Sequence, residues 1–380
     1  MVLTKITFNK PYLTGNEIKY IEEAVRSMKI SGDGIFTKKC HSFFEEKYAF
    51  HKCLLTTSCT DALEMAAILI NIQAGDEVIM PSYTFVSTAN AFVLRGAKII
   101  FVDSLPDHPN IDTSKIEELI TPKTKAIVPV HYGGVACEMD TIMALATKYN
   151  LFVIEDAAQA IDSYYNGKAL GSIGHLATFS FHETKNIISG EGGMLVINDE
   201  QFAERAEVIR EKGTNRSQFY RGEVDKYGWM DIGSSFLPSD IIAAFLFAQL
   251  ENMELIQAKR IAIWNSFYEK LKPLSERKFF KLLETNENQT NNGHLFALVL
   301  NNLEDRTALI KYMQNENVIP VFHYLSLHKS PYYFEQHDGR VLENSDTYSD
   351  TLLRLPFYFE LSEEDILQIT SSINTYFNAK

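Results

Sequence analysis

Apolar and polar positions change their spacing three times along the chain. Residues 14–30 and 37–49 have the mixed faces that are typical of helices. From about residue 53, short apolar runs alternate with amphipathic segments, a pattern that predicts strands alternating with helices. After about residue 200 the pattern becomes helical, and two short apolar runs follow nearer the C-terminus.

The same periodicity predicts the individual segments. Helices are predicted at 61–72, 84–96, 114–120, 139–150, 201–213 and 240–271. Strands are predicted at 76–82, 97–103, 125–134, 151–158, 177–182, 192–199, 295–300 and 318–322. Apolar strands that alternate with helices imply an α/β fold with a mostly parallel sheet that is covered on both faces.

The pattern also predicts two domains. Residues 1–250 would form a large α/β domain that includes the N-terminal helices, and residues 251–380 a linking helix with a smaller C-terminal α+β domain. The polar stretch 283–293 reads as a loop close to this junction. A chain of 380 residues with 46% hydrophobic content is long enough to bury a large core.

Composition narrows the function classes. The net charge of −13 argues against a nucleic-acid-coating protein. The four cysteines show neither C-x-x-C spacing nor pairing with histidine, so we expect free thiols and no metal site. No apolar run approaches the roughly 18 residues of a membrane span, and the first residues lack an apolar signal region. We therefore expect a cytoplasmic protein that does not enter the membrane.

Candidate chemistry lies directly after the strands, because ligands of open α/β sheets bind at the carboxyl ends of strands. The stretch FSFHETKN places Lys185 where the chain enters its core. Such a lysine either reaches solvent or is buried with a lowered pKa, which makes its amine a good nucleophile toward a carbonyl. Asp156 ends the strand LFVIED and could bind a metal, a ribose or a cationic ring, or simply cap a helix.

Two further segments suggest a flat, phosphorylated ligand. Ser58 and Asp61 read as a helix cap, and the helix end beside Cys59 and Thr60 is also a ready phosphate site. Of the aromatic residues that follow the next strand, one could cover a planar ring. A lysine, a carboxylate, a phosphate site and an aromatic face together specify pyridoxal 5′-phosphate (PLP), whose ring nitrogen needs an anionic partner.

The ordered strings TSCT, PSYTFVSTANA, PVHYGG, VIEDAAQA and FSFHETKN followed by GEGG resemble the DegT-type family of sugar-nucleotide aminotransferases. The resemblance runs over nearly the whole chain. It implies fold type I of PLP enzymes, with a seven-stranded, mostly parallel sheet in the large domain. Longer strings such as VPVHYGGVACEMDTIMALA and REKGTNRSQF resemble, more narrowly, the branch that makes dTDP-4-amino-4,6-dideoxygalactose for enterobacterial common antigen.

The resemblance assigns roles to residues of this chain. Lys185 would be the catalytic Schiff-base lysine and Asp156 the partner of the pyridinium nitrogen. The other expected cofactor contacts are Cys59, Thr60 and Ser180 at the phosphate, and Phe85 and Gln159 at the ring. In the family a neighbouring subunit lends a phosphate ligand from a motif of the type G-Y-N-Y-R, where this chain has GSSFL and hence Ser235.

The substrate side is predicted from a basic stretch and a histidine. Residues 211–226 contain Lys212 and Arg216, which are candidates for a nucleotide diphosphate, although a charge run is as often a solvated face. His323, with His328, is the candidate near the sugar.

The expected reaction moves the amino group of L-glutamate to C4 of dTDP-4-keto-6-deoxy-D-glucose and releases 2-oxoglutarate. A gluco epimer or a 3-amino sugar stays open as the product. A PLP-dependent sugar dehydratase would need the lysine replaced, and a non-catalytic sugar-nucleotide binder would not need both Lys185 and Asp156. The resemblance further implies a homodimer with active sites at its interface.

Overall fold

A computed structural model describes residues 5–379. Its helices are α1 (Glu17–Arg26), α2 (Ile35–Tyr48), α3 (Cys59–Leu69), α4 (Val86–Val93), α5 (Met139–Tyr149), α6 (Ala203–Arg210), α7 (Arg216–Tyr220), α8 (Asp240–Glu251), α9 (Met253–Glu276), α10 (Leu303–Asn315), α11 (Glu343–Thr351) and α12 (Glu363–Asn378). Its strands are β1 (Lys52–Thr56), β2 (Glu77–Pro81), β3 (Lys98–Val102), β4 (Thr124–Ile127), β5 (Phe152–Asp156), β6 (Tyr164–Tyr165), β7 (Lys168–Ala169), β8 (Leu176–Ser180), β9 (Gly193–Ile197), β10 (Phe280–Leu282), β11 (Ala297–Leu300), β12 (Val321–Phe322) and β13 (Leu352–Arg354).

Seven strands form one large sheet in the order β1-β9-β8-β5-β4-β2-β3. Strand β9 runs antiparallel to both of its neighbours, and the remaining pairs are parallel. Residues such as Val78, Ile79 and Met80 are buried in succession, because helices cover both faces of the sheet. The predicted seven-stranded, mostly parallel sheet is confirmed.

Two predicted helices are wrong in detail. Residues 114–120 form two separate 3₁₀ turns, Thr113–Lys115 and Glu117–Leu119. The segment is too short for a stable α-helix, and Pro122 disfavours a helical conformation at the residue before it.

The predicted helix 240–271 is two helices, α8 and α9, which meet at an angle of 63°. Asn252 between them leaves helical geometry with φ −107° and ψ 13°, and its side-chain amide donates to the Ala248 carbonyl at 3.0 Å. Asn252 therefore ends one helix and begins the next. Within residues 5–379 no single helix passes the length and apolarity test for a membrane span, and this bent pair passes it on length and composition alone.

The C-terminal part builds a second, antiparallel sheet in the order β10-β11-β13-β12. Helices α9, α10 and α12 pack on it around a core that includes Phe267, Leu298 and Ile369. Strands β10 and β13 have only three residues each, too few for a visible alternation in the sequence. The division of the chain at residue 250 stays a prediction.

The topology brings several strand ends to one edge of the large sheet. Strands β1, β5 and β8 lie within it with β9 inserted antiparallel, so the segments after β1, β5 and β8 emerge on the same side. The end of β13 and the segment after β12 approach that edge from the smaller sheet. A cavity between the two sheets is the consequence.

Candidate active site

The cavity between the sheets has a volume of about 510 Å³. It brings together eight of the residues predicted for the site: Cys59, Thr60, Phe85, Asp156, Gln159, Ser180, Lys185 and His323. Residues far apart in sequence meet here because each follows or ends a strand that points to this edge. Ser235, Lys212 and Arg216 lie elsewhere.

Lys185 lies in the turn that follows β8, and its backbone amide donates to the His182 carbonyl at 2.9 Å. Its side chain is half-buried and lines the cavity. Loss of contact with water on burial and the nearby Arg354 lower the pKa of Lys185, Cys59 and Asp156 act in the opposite direction, and the net pKa is about 8. A substantial fraction of the amine is thus uncharged near neutral pH, as a nucleophile or proton acceptor requires.

Asp156 ends β5 and is only 5% exposed. One carboxylate oxygen accepts a hydrogen bond from the Thr88 hydroxyl at 2.7 Å, and the other accepts from the Ala158 amide at 3.1 Å. The following residues form a turn and not a helix, so Asp156 is not the helix cap that the sequence left open. These two donors fix the carboxylate at the wall of the cavity.

The N-terminus of α3 forms a polar end of the cavity. The Ser58 side chain caps the helix by accepting from the Asp61 amide at 3.1 Å, while the Asp61 carboxylate accepts from the Thr57 hydroxyl. The amides of Cys59 and Thr60 begin the helix, where first-turn amides have no partner within it. Ser180 lies across from them at the end of β8, so donors converge where an anion would be stabilised.

The GEGG string explains how that helix end comes so close to the sheet. Gly193 pairs with Thr56 at the start of β9, and a Cβ at Gly193 would lie 2.3 Å from the Cys59 amide nitrogen. Only glycine leaves room for this approach of two backbones. The string therefore contributes to the anion site through its lack of a side chain.

The two aromatic candidates after β2 have different roles. Tyr83 is 1% exposed, and its hydroxyl donates to the His323 carbonyl, so it belongs to the core. Phe85 is 56% exposed and lines the cavity. Phe85 is the side chain that is free to cover a planar ring.

Gln159, which follows β5, and His323, which follows β12, lie on the side of the cavity that faces the smaller sheet. The Gln159 carbonyl oxygen accepts from the Gly133 amide at 2.7 Å, and its amide group donates to the Tyr324 hydroxyl at 2.9 Å. The His323 ring bonds to the Tyr132 hydroxyl at 2.7 Å. Burial keeps the pKa of His323 well below its usual range, so its imidazole is neutral.

The lining residues that sequence reasoning missed include Thr88, His294, Tyr324 and Arg354. Thr88 lies within the quoted PSYTFVSTANA string, one helical turn after Thr84, and that spacing was the available signal. His294, Tyr324 and Arg354 come from the smaller sheet and its loops. No local sequence pattern predicts their place in the site, because only the packing of the smaller sheet against the larger one brings them to the Lys185 cavity.

Lys212, Arg216 and Ser235 line a second cavity of about 1150 Å³. Lys212 and Ser235 are exposed, and Arg216 contacts the Tyr220 hydroxyl at 2.8 Å. His328, the other histidine of the candidate pair, bonds to the Ser82 hydroxyl at 2.7 Å and does not line the Lys185 cavity. Within one chain these residues are not part of the site around Lys185.

The residues around Lys185 fit four features of PLP, namely its aldehyde, ring nitrogen, ring face and phosphate. Lys185 offers a partly uncharged amine for the aldehyde, Asp156 a fixed carboxylate for the ring nitrogen, and Phe85 an open aromatic face. The helix end at Cys59 and Thr60 offers amides for the phosphate. Among residues 5–379 no group of three or more metal-binding side chains comes together.

Comparison with known proteins agrees with this site. The DegT/DnrJ/EryC1/StrS aminotransferase family matches residues 11–374. A GDP-perosamine synthase of Caulobacter vibrioides is 37% identical over 275 residues, which are 72% of each chain. A GDP-perosamine synthase of Escherichia coli O157:H7 is 32% identical over 378 residues, 98% of each chain.

Solved structures show the same architecture. An aminotransferase from Psychrobacter cryohalolentis superimposes with a TM-score of 0.92 at 26% identity, over 98% of this chain and 99% of that chain. The aminotransferase TlmJ from Streptoalloteichus hindustanus gives a TM-score of 0.91 at 26% identity, over 99% and 100% of the two chains. The predictions of a transaminase and of its PLP cofactor are confirmed. The chain belongs to the DegT/DnrJ/EryC1/StrS aminotransferase family.

Proposed function

We propose that the protein moves the amino group of L-glutamate to C4 of dTDP-4-keto-6-deoxy-D-glucose, giving dTDP-4-amino-4,6-dideoxygalactose and 2-oxoglutarate. The observation that carries the proposal is the enclosed Lys185, with a pKa lowered to about 8, in one cavity with the fixed Asp156. A sugar dehydratase of this fold would need another residue in place of Lys185, so that alternative is disfavoured.

Several residues of the cavity have a task in this reaction. PLP supplies the carbonyl that takes up the amino group and the ring that withdraws electrons from the reacting carbon. The uncharged amine of Lys185 accepts the proton from Cα of the amino donor and delivers a proton to C4 of the sugar. Asp156 would stabilise the positive charge on the ring nitrogen of PLP. The amides at the start of α3, together with Ser180, would hold the phosphate.

The sugar identity rests on the longer strings that resemble the dTDP-4-amino-4,6-dideoxygalactose branch. A second candidate is a GDP-linked sugar, because the two relatives described above are named GDP-perosamine synthases. The gluco epimer and a 3-amino sugar remain the other candidate products. All of these share the chemistry at Lys185 and differ in the groups that contact the nucleotide and the sugar ring.

A homodimer is part of the proposal. Trp229, Met230 and Val86 are 84%, 63% and 52% exposed, and Phe85, which lines the Lys185 cavity, is 56% exposed. Exposed apolar surface of this kind marks interaction sites. A second copy that covers it would bring Ser235, Lys212 or Arg216 toward the partner's Lys185 cavity, which is where the family motif predicts the lent phosphate ligand.

We also place the protein in the cytoplasm. Its cysteines, Cys40, Cys53, Cys59 and Cys137, are all free, as in a reducing compartment.

The test is product analysis. The PLP-loaded protein is incubated with L-glutamate and dTDP-4-keto-6-deoxyglucose, and in parallel with a GDP-linked 4-keto-6-deoxyhexose, and the products are determined by NMR. A small H3–H4 coupling in the dTDP product indicates an axial amine and supports the proposed galacto product. A large coupling assigns the gluco epimer, and a product from the GDP sugar alone assigns the second candidate. No amino sugar from either substrate would contradict the proposal.

A further inference from the structure

His294 lies in the wall of the Lys185 cavity, and one of its ring nitrogens has no partner there. The residue precedes β11 and is only 4% exposed. Its Nδ1 atom lies 2.8 Å from the side-chain oxygen of Asn186, whereas its Nε2 atom makes no hydrogen bond with any residue from 5 to 379. Unlike the Nε2 atom of His108, that of His294 is not fully enclosed, so it opens toward the cavity.

The side chain of Asn186 fixes which ring nitrogen of His294 carries the hydrogen. The Asn186 amide nitrogen donates to the Gln257 side-chain oxygen and to the Asn292 carbonyl, both at 2.9 Å. A backbone carbonyl only accepts, so the amide nitrogen must point to it and the Asn186 oxygen must face His294. That oxygen also only accepts, so Nδ1 of His294 carries the hydrogen and donates it. In a neutral ring, Nε2 is then a bare acceptor.

The ring of His294 is neutral because its surroundings disfavour a positive charge. Burial and the nearby cations Lys185, Arg354 and Arg260 hold the pKa of His294 well below its usual range. Of the three cations, Lys185 has the largest effect, and such effects fall with distance. The cavity therefore presents an acceptor of hydrogen bonds close to the amine that carries out the chemistry.

The two substrates differ in what they can offer to this acceptor. The carboxylates of L-glutamate only accept hydrogen bonds, and the Lys185 amine makes no hydrogen bond to Nε2. The keto sugar carries hydroxyl groups, which donate. Of the two carbons next to the reacting C4, C5 bears the methyl group and C3 bears a hydroxyl. When C4 lies at Lys185, the 3-hydroxyl is thus the donor nearest to the reacting carbon.

We propose that Nε2 of His294 accepts a hydrogen bond from the 3-hydroxyl of the keto sugar. This inference rests on the proposed function and deepens it, because it makes His294 a specificity-determining residue for the sugar and not for the amino donor. The dTDP-linked and the GDP-linked candidates both carry this hydroxyl, so the assignment is independent of the nucleotide. A sugar without it leaves a buried acceptor unpaired, which costs free energy.

Two substitutions separate the acceptor from the contact with Asn186. In His294→Asn the short side-chain amide can still donate to Asn186, but no atom reaches the place of Nε2. In His294→Gln the longer side chain brings an amide oxygen to that place and gives up the contact with Asn186. His108→Asn is the matched control, because His108 is 7% exposed, has its pKa lowered to about 4 by burial, and does not line the cavity.

The experiment measures the two half-reactions separately by cofactor absorbance. The PLP-loaded protein is mixed with L-glutamate, and the pyridoxamine-loaded protein is mixed with the keto sugar. We expect His294→Asn to lower kcat/KM for the keto sugar by about ten- to 100-fold, because one hydrogen bond beside the reacting carbon is lost. The glutamate half-reaction should change by less than about threefold, and His108→Asn should change neither.

His294→Gln distinguishes an acceptor from a purely structural histidine. It should recover most of the sugar rate although its unfolding temperature falls below that of His294→Asn, since it keeps the acceptor and loses the contact with Asn186. A structural role predicts the reverse order, with His294→Gln slower than His294→Asn. That order, or equal losses in both half-reactions, would overturn the inference.

The 3-deoxy analogue of the keto sugar tests the partner of His294 directly. Wild type should use it about ten- to 100-fold less well than the 3-hydroxy sugar, and His294→Asn should use both almost equally. The affinities of the corresponding amino sugars for the pyridoxamine-loaded protein, measured by calorimetry, should show the same pattern. A His294→Asn variant that keeps the wild-type preference would contradict the role of His294. Failure of wild type to convert any 4-keto sugar would instead contradict the proposed function on which the inference rests.

Discussion

The chain has two cavities with basic side chains. Several cations of the larger cavity are paired with carboxylates, and its Lys212 and Arg216, which form no ion pair with a described residue, are exposed or half-exposed to solvent. In the larger one, Lys52 pairs with Glu207 at 2.6 Å, Arg221 pairs with the same carboxylate at 2.9 Å, and Arg210 pairs with Asp33 at 3.0 Å. In the smaller one, Lys185 and Arg354 form no ion pair with any residue from 5 to 379.

This difference in the pairing of cations indicates which cavity is the reactive one. Cations that already have a carboxylate are satisfied within the chain and contribute to its structure. Cations that are enclosed without one raise the free energy of the folded chain and gain their partner from a ligand. By this criterion the Lys185 cavity is the reactive one, and the basic stretch 211–226 is a secondary candidate for substrate contact.

The distinction between the two cavities is tested most strongly by replacing one lysine in each, Lys185 and Lys212. Lys185→Ala should lower transamination by about 10⁴-fold or more, because it removes both the amine that joins the cofactor and the proton acceptor. Lys212→Ala, in the larger cavity, should leave the glutamate half-reaction unchanged. Initial rates with L-glutamate measure both. Comparable losses in the two variants would contradict the distinction between the cavities.

A second pair of variants neutralises one carboxylate in each cavity. Asp156→Asn keeps the shape of the side chain but removes the negative charge opposite the ring nitrogen, so kcat should fall by about 100- to 1000-fold. Glu207→Gln weakens partly exposed ion pairs and should change the unfolding free energy by about 1 kcal/mol or less, with activity retained. Steady-state kinetics and denaturant unfolding distinguish these outcomes. An Asp156→Asn variant with normal kcat would remove that residue from the chemistry.

The close approach at the anion site can be tested with a single methyl group. Gly193→Ala places a Cβ where the Cys59 amide nitrogen lies 2.3 Å away, so β9 and the α3 end must separate. We expect a loss of about 1–3 kcal/mol in unfolding free energy and about tenfold weaker PLP binding. Gly222→Ala is the control, because a Cβ there meets nothing within 4 Å, although its φ of +76° adds some backbone strain. Unchanged PLP affinity in Gly193→Ala would show that the helix end does not hold the phosphate.

A further prediction concerns the pH at which the Lys185 amine loses its proton. In the cofactor-free protein its amine should react with an acylating reagent with a midpoint near pH 8, against about 10.4 for an ordinary lysine. Because the unfolded chain binds the extra proton between these values, the contribution of Lys185 to the unfolding free energy should become more favourable as pH rises through that window. Arg354→Gln should raise the midpoint, since Arg354 lowers the pKa of Lys185. A wild-type midpoint near 10 would contradict the enclosed, desolvated lysine.

The last prediction concerns substrate binding at the second cavity. Arg216→Ala should weaken use of the sugar nucleotide by about tenfold through one lost phosphate contact, without change in the glutamate half-reaction. Rates at several sugar concentrations give the KM. An unchanged KM would favour the alternative that the stretch 211–226 is a solvated face.

The sequence was informative where local chemistry and strand periodicity coincide. Asp156 and Lys185 each follow an apolar run, so the edge of the sheet where they meet could be predicted from the order of strands. The places of Arg354 and Tyr324 could not be predicted, because short strands and loops of the smaller sheet carry them and only the packing of the two sheets brings them to the cavity. The break at Asn252 was hidden for a similar reason, since the apolar pattern continues through it while the backbone turns.

The most direct test follows the amino nitrogen itself. The PLP-loaded protein is given L-glutamate labelled with heavy nitrogen in its amino group, then the excess is removed and the dTDP-4-keto sugar is added. The account predicts that wild type transfers the label to C4 of the sugar in one turnover and that Lys185→Ala does not. Two results would contradict amino transfer at the Lys185 cavity. One is that all of the label is removed with the unreacted glutamate, and the other is an amino sugar that carries no label.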